Sequence, residues 1–453
     1  MIEVFFERAL SFALFWGVWL LIPILVDVST TVTYFIAFAT ESRKPQKDLI
    51  ELDYYPFITI VVPVHNSADT LYQCLESIAE QNYPMDSYEV LCINNGSQDN
   101  SFEIFQHFQY QYPEMQIRWS FVDRAGKSIA LNAGIYTGKG TYLVNVDSDV
   151  WLDADALLNV ARSFKSDPSL VAATGSIRVD KVLGEGSYFI DIINYCEVVE
   201  YMVAFDVGRR YQNMKNSIFT LSGAFSMFRR DILLKSFLYQ ERTVSEDTDL
   251  TFNMRRAVQA SHGRIGYIAK SIAYVEPIES LSRLYSQRVR WQRGEVEVMG
   301  IYYDDIPGIL GALKDFLARI LISDHTLSFI KLTWTFLLPF LYFLGYPLPT
   351  IVIALTGMVV MYLILEACTF LVAYRSTENF YRDELKKVWW IVFFMPFYRY
   401  LTYWFRLAGM ILALTEPQSW KVNNPVQQTI DGVIYYSEKV RDYYYSIRRY
   451  FSK

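Results

Sequence analysis

"TYLVNVDSDVWLDADALLNVARSF" (residues 141–164) holds two Asp-x-Asp spacings, Asp147/Asp149 and Asp153/Asp155. Its start, TYLVNVD, is a short apolar run that reads as a buried strand, and its end, ADALLNVARSF, has helical apolar spacing. The first pair of aspartates therefore ends a strand, while the second opens a helix. Acidic residues at a helix start complement the helix dipole and cap free N–H groups, which is a sufficient structural reason for Asp153 and Asp155. Two carboxylates at a strand end repel one another unless a positive group lies between them. A hard divalent cation, bridging carboxylate to substrate phosphate, is the natural partner. Position, rather than spacing, singles out Asp147 and Asp149.

The same alternation runs outward from this stretch. FITIVVPVH (57–65), YEVLCINN (88–95) and IRWSFVD (117–123) read as strands. TLYQCLESIAEQ (70–81), NSFEIFQHFQYQY (100–112) and SIALNAGIYTG (128–138) read as helices. Strand–helix alternation predicts an α/β domain with a mostly parallel sheet and a ligand site at the carboxyl ends of its strands. VPVHNSADTL (62–71) ends the first strand at that edge and, alone, is an ordinary turn. RAGKSIALNAG (124–134) sets Arg124 and Lys127 at a glycine turn opening a helix, a setting for phosphate or simply a solvated basic turn. SEDTDLTF (245–252) puts Glu246, Asp247 and Asp249 at a helix start, more acid than capping needs.

At 453 residues the chain exceeds one hydrophobic core. With 52% hydrophobic and 20% charged residues, it is too apolar for an ordinary soluble enzyme and too polar for a membrane bundle. A net charge of −6 gives no footprint for nucleic acid. Cys74, Cys92, Cys196 and Cys368 have no metal-ligand or redox spacing.

The apolar residues are segregated. Residues 10–39 are long enough to cross a bilayer and too long, without a small-residue cleavage site, for a signal peptide. Arg43, Lys44 and Lys47 then place the adjoining α/β region in the cytoplasm. Within that span Pro23 and Asp27 face other helices or a polar path, or Asp27 lies near the bilayer edge. Residues 327–346 and 350–374 read as a transmembrane hairpin around Pro347 and Pro349, and ILGALKDFLARILI (309–322) as a helix in the membrane plane. In 388–414, Arg399 and Arg406 share a helical face and suit an interfacial or pore-facing helix. The side on which the basic C-terminal tail lies is open. The organisation is thus a transmembrane helix (1–40), a cytoplasmic catalytic domain (41–300), interfacial and transmembrane helices (301–420) and a tail (421–453).

Seven motifs stand in order along residues 57–294: PVHN, NNGSQD, RAGKSIALNAG, DSD, SGAFSMFRR, SEDTDL and QRVRW. The chain resembles the membrane-embedded, processive members of glycosyltransferase family 2, such as cellulose, hyaluronan and poly-N-acetylglucosamine synthases. A narrower likeness is to glycosyltransferases encoded near exosortases in Gram-positive bacteria. The resemblance implies a Rossmann-like GT-A catalytic domain with transmembrane and interfacial helices, a UDP-sugar donor, Mg²⁺ or Mn²⁺, and a polysaccharide or lipid-linked acceptor. It implies a multi-pass protein among bacterial plasma-membrane lipids, with its catalytic domain in the cytoplasm. By the same resemblance, His65, Asn66, Asn94, Asn95 and Lys127 line the nucleotide cleft, Asp147 meets the donor and Asp149 the metal. Gly223, Ala224 and Phe225 face the acceptor. Glu246 and Asp247 are the catalytic pair, with Asp247 as general base. Gln287 and Arg290 hold the diphosphate, and Trp291 the acceptor sugar. Trp291 has a second reading, as an anchor at the membrane interface.

One departure stands out. Relatives carry an Asp pair where this chain has Asn94 and Asn95, although an amide can still pair with a uracil edge. Export of a polymer is the leading reading. Single-sugar transfer to a lipid, a catalytically silent membrane scaffold and a transporter without chemistry are the alternatives.

Overall fold

The computed structural model describes residues 50–180, 187–302 and 340–416 except 378, with scattered residues in 28–40 and 430–441. The chain divides into two units, Met1–Pro45 with Asp304–Leu407, and Gln46–Tyr303 with Ala408–Lys453.

In the second unit the first strands and helices match the apolar runs: β1 (Ile58–Val64), α1 (Leu71–Ala79), β2 (Tyr88–Asn94), α2 (Ser101–Gln111), β3 (Ile117–Phe121), α3 (Lys127–Thr137) and β4 (Tyr142–Val146). A tight turn leads to β5 (Val150–Leu152), α4 (Ala156–Ser166) and β6 (Leu170–Val179). Next come α5 (Tyr188–Met202), a π turn (Val203–Val207), α6 (Gly208–Met214) and β7 (Phe225–Arg229), then α7 (Glu246–Ala260), β8 (Arg264–Val275) and α8 (Leu281–Tyr302).

The eight strands form one sheet in the order β3-β2-β1-β4-β7-β6-β8-β5. Strand β1 is buried along its whole length because helices cover both faces, which is why its sequence is a continuous apolar run. Side chains alternate between the layers. Ile60 and Val62 join a core with Leu75, Phe108 and Leu157, while Val61 points the other way to Leu131, Leu250 and Met254.

The sheet departs from the mostly parallel expectation. Strands β1, β2, β3 and β4 pair in parallel, as do β6 and β8, but β4/β7, β6/β7 and β5/β8 are antiparallel. The alternation of residues 57–147 held only the parallel half. Strand β7 returns after the α5–α6 excursion and runs against β4 with Val146 opposite Phe225. That reversal lays the start of SGAF beside the end of β4, and the Asp147 N–H donates to the Ala224 carbonyl at 3.2 Å.

In the first unit α9 (Leu348–Ser376) is the one described helix long and apolar enough to cross a membrane, with a mean hydropathy of 2.3. Pro347 is its N-cap, and Pro349 lies in its first turn, where a fixed φ suits the helix and a missing N–H is harmless. Most of the first hairpin arm, the in-plane helix, most of the N-terminal span and most of the C-terminal tail lie outside the described residues. The stretch 388–414, read as one helix, is divided. After α10 (Asn379–Lys387), a 3₁₀ turn at Trp389–Phe393 precedes α11 (Met395–Thr415). Arg399 is bonded through Nε and Nη2 to the Glu366 carboxylate on α9, so charge at this position is paired. From Ala408 onward α11 packs on α8 through Ala408, Leu412 and Val289.

Candidate active site

The carboxyl edge of β1, β2 and β4 is held by side chains bonded across its turns. At the end of β1, His65 Nδ1 lies 2.9 Å from the Asn95 carbonyl. Asn66 adopts a left-handed φ of 50°, which asparagine tolerates, and its amide oxygen accepts from the Gln98 N–H at 2.8 Å. The Asn94 oxygen accepts from the Ser97 N–H at 2.9 Å, and the Asn95 oxygen from the Gly126 N–H. Both amides thus spend their oxygens on shaping the cleft. Asp99 accepts from the Ala68 N–H at 2.9 Å, tying its loop to the β1 turn.

Beside that edge, four motifs meet around one ammonium. Lys127, the first residue of α3, lies 2.7 Å from Asp147 and 3.4 Å from Glu246. The Gly223 N–H donates to Asp247 Oδ2 at 3.0 Å, and the Thr248 N–H to Asp247 Oδ1 at 2.7 Å. A Cβ on Gly223 would sit 3.4 Å from Lys127 Nζ and 3.5 Å from Asp247 Oδ2, so a glycine leaves this gap open. Carboxylates outnumber the cation. Burial opposes the Lys127 charge, but Asp147 and Glu246 outweigh it and push its pKa above the ordinary lysine value. Burial raises the Asp147 carboxyl to about 6, with Asp149 adding to the shift and Lys127 opposing it. Burial and then Glu246 raise Asp247.

The two aspartate pairs have different surroundings. Asp147, Ser148, Asp149 and Val150 form a turn closed by a Val150 N–H to Asp147 carbonyl bond of 3.1 Å, and Asp149 is exposed on it. Asp153 accepts from the Asp155 N–H at 3.3 Å and the Tyr274 hydroxyl at 3.5 Å. Asp155 stands at the N-cap of α4 without a side-chain cap bond, and accepts instead from Asn82 Nδ2 at 3.0 Å. The second pair makes loop-to-loop bonds rather than the expected cap bond.

Among the described residues no three acidic, His or Cys side chains form a ready metal cage. Strand β8 runs against β5 with Val275 opposite Val150, so Glu276 comes next, across from Asp149. Burial and the Asp149 charge push the Glu276 carboxyl above its usual range. Two carboxylates facing each other suit a hard cation that completes its shell with other oxygen ligands.

The excess acid in SEDTDL has a structural share. Asp249 is 0% exposed and takes a two-pronged bond from Arg242, 2.8 Å on each arm, with the Tyr302 hydroxyl at 2.9 Å. Phe225 also departs from expectation, because its ring is 0% exposed in the core and does not line the cleft. Ala224 contributes its carbonyl.

Gln287, Arg290 and Trp291 stand on α8. Gln287 Nε2 donates to the Tyr201 hydroxyl at 3.3 Å, Arg290 is exposed, and Trp291 is half-buried against Tyr201 and Phe205. Helix α8 also supports the SED turn. Glu297 accepts from the Val244 N–H at 2.8 Å, and Gly294 lies so close to Ser245 that any Cβ there would overlap it.

Sequence reasoning missed Arg209. It is 3% exposed on α6 and donates to the Thr220 carbonyl. Thr220 Oγ1 is 2.8 Å from Thr248 Oγ1, next to Asp247. Burial lowers Arg209 to about 10, with the Asp247 charge opposing. A π turn before it, a form common near functional sites, sets its direction. No motif in the sequence marks it.

A family model described as Glycosyl transferase family 2 matches residues 59–237. The poly-beta-1,6-N-acetyl-D-glucosamine synthase of Staphylococcus epidermidis is 28% identical over 248 residues, covering 53% of this chain and 55% of that protein. The same-named protein of Staphylococcus aureus (strain MSSA476) is 28% identical over 261 residues, covering 57% and 58%. The chain spans about half the length of the curated relatives it matches. The mannosyltransferase PcManGT from Pyrobaculum calidifontis, solved in complex with GDP-Man and Mn²⁺, matches with a TM-score of 0.57 at 16% identity, covering 86% of this chain and 98% of that one. At that identity the likeness is one of fold, a GT-A-like mixed sheet with helices. Residues 59–237 carry a glycosyl transferase family 2 domain, and the order of the motifs agrees with that match.

Proposed function

We propose that this chain is an inverting, processive polysaccharide synthase of the bacterial plasma membrane. It moves a sugar from a UDP-sugar to the end of a growing polymer, and its own membrane helices lead the product outward. One observation carries the reading: Lys127, Asp147, Glu246, Asp247 and the Gly223 N–H meet at the sheet edge within hydrogen-bond reach. Attack by an acceptor hydroxyl on an anomeric carbon needs a base beside the hydroxyl and positive charge beside the leaving diphosphate.

Asp247 takes the acceptor proton, and burial, by raising its pKa, makes its carboxylate a better proton acceptor than an exposed one. The Gly223 and Thr248 N–H groups hold its carboxylate still while the glycine gap admits the hydroxyl. Lys127 faces the donor, oriented by Asp147. Asp149, with Glu276 across from it, would hold Mg²⁺ or Mn²⁺, which would supply charge neutralisation for the departing diphosphate. Arg290 and Gln287 reach the diphosphate from α8, and Trp291 offers its ring to the acceptor sugar. His65, Asn66, Asn94 and Asn95 border the nucleotide.

The test is purified protein in detergent, a panel of radiolabelled UDP-sugars, and Mg²⁺ or Mn²⁺, with UDP release and product length read together. One donor should be consumed, giving a ladder of products. A single-sugar adduct on lipid would overturn processivity, and no turnover of any sugar nucleotide would overturn the enzyme.

A further inference from the structure

Arg288 lies inside the QRVRW motif, yet it is 4% exposed and turned away from Arg290 into the protein. Its Nη2 bonds Glu197 Oε1 at 2.9 Å and Glu200 Oε2 at 2.5 Å. Glu197, Glu200 and Tyr201 are spaced three and four apart on α5, so they share one face. On α8, Arg288 and Trp291 are likewise three apart, and the guanidinium lies 4.5 Å from the Trp291 ring centroid. Phe205 meets the same indole edge-on at 85°, with centroids 6.1 Å apart, and Tyr201 meets it at 6.2 Å.

Stability alone does not account for this arrangement. Glu197 is 1% exposed, and burying one cation with two carboxylates is often no better than well-packed apolar side chains. What the charges add is direction. An Nη2 group bonded to two acids restrains the guanidinium plane, and an indole lying against that plane is restrained with it. Without Arg288 the ring would keep only its aromatic neighbours, which constrain angle weakly.

We infer that Arg288, anchored by Glu197 and Glu200, is the positioning residue for Trp291. It covers one flank of the indole and holds the ring in the orientation in which it receives the acceptor sugar. The inference rests on the proposed acceptor role of Trp291. Arg288 itself touches neither donor nor acceptor, which separates it from its neighbour Arg290.

The experiment uses the full chain in detergent, the UDP-sugar it consumes, and an oligosaccharide acceptor of the sugar that donor carries. Donor KM, acceptor KM and the ratio of UDP released to sugar incorporated are measured for wild type, Arg288→Gln, Arg288→Lys, Glu200→Gln and Trp291→Ala. Arg288→Gln should raise acceptor KM at least fivefold and shift turnover toward donor hydrolysis, with donor KM within twofold of wild type. Arg288→Lys should recover only part of the loss, because it restores charge without the planar fork. Glu200→Gln removes one anchor at a less buried position and should show the same pattern more mildly. It carries the test if Arg288→Gln does not fold. A fall in kcat with both KM values unchanged would mean a structural role, and a raised donor KM would mean a diphosphate contact. Either result overturns the inference. Normal acceptor KM in Trp291→Ala would instead remove the platform itself, which is failure of the underlying reading. Additive effects in the Arg288→Gln/Trp291→Ala double variant would also overturn the inference, since a residue acting through Trp291 has no further effect once it is gone.

Discussion

The Gly223 N–H and the Asp247 carboxylate are joined by a 3.0 Å bond across 24 residues of sequence, and Lys127 Nζ lies 3.4 Å from where a Cβ on the same glycine would sit. A backbone N–H aimed at a carboxylate fixes its position without filling the space before it. On the proposed mechanism, the gap that a side chain would occupy is the place where the acceptor hydroxyl would reach Asp247.

Asp247→Asn should keep UDP and metal binding and lose sugar transfer by ~10²-fold or more, because an amide preserves shape but cannot take the proton. Calorimetry with UDP, beside a transfer assay, separates the two effects. Gly223→Val should abolish transfer with UDP affinity little changed, since the branch enters the gap between Lys127 and Asp247. Unchanged transfer in either variant removes this corner of the cleft from the mechanism.

Asp149→Ala should abolish metal-dependent transfer in a folded protein, whereas Asp153→Ala should change stability more than turnover. Asp153 accepts from the Asp155 N–H and the Tyr274 hydroxyl, and losing such bonds costs ~1 kcal/mol. Thermal melts and Mn²⁺-dependent turnover of both variants decide between them. An inactive Asp153→Ala beside a near-normal Asp149→Ala would reverse the assignment.

Gly294→Ala should lower both stability and kcat. The new methyl overlaps Ser245, including its main chain, and overpacking of this kind costs roughly 1–3 kcal/mol. Because Asp247 lies two residues beyond Ser245, the shift is passed to the base. Gly300→Ala, on the same helix with open space around it, should leave both unchanged and serves as the control.

Burial pushes the Glu197 carboxyl up to about 7, with Arg288 opposing and Glu200 adding to the shift. A carboxyl whose folded pKa exceeds its unfolded one favours the folded state below the unfolded value, and loses that contribution as pH rises through the folded value. Between about pH 4.5 and 7 the wild type should therefore lose about 3 kcal/mol from this group. Glu197→Gln should flatten that part of the stability–pH curve, as measured by thermal unfolding in detergent. An unaltered slope would show that Glu197 stays ionised throughout.

The sequence by itself determined the parallel half of the sheet and the edge where the chemistry gathers. Strands β1, β2 and β4 are buried there on both faces, and burial is written as uninterrupted apolar runs such as FITIVVPVH. It also separated Asp147 and Asp149 from Asp153 and Asp155, because strand end and helix start are local properties. Which way β7 runs was decided only by tertiary structure, since a five-residue strand carries no mark of its direction. That antiparallel return delivers Gly223 to Asp247 and Ala224 to Asp147, and it buries Phe225, whose motif pointed to the acceptor. The partners of buried charge were equally out of reach. Arg242 with Asp249, Arg288 with Glu197 and Glu200, and Arg209 with the Thr220 carbonyl join residues whose pairing depends on helices meeting in space. Helical spacing can put Glu197 and Glu200 on one face, but only the packing of α8 against α5 supplies the cation they need.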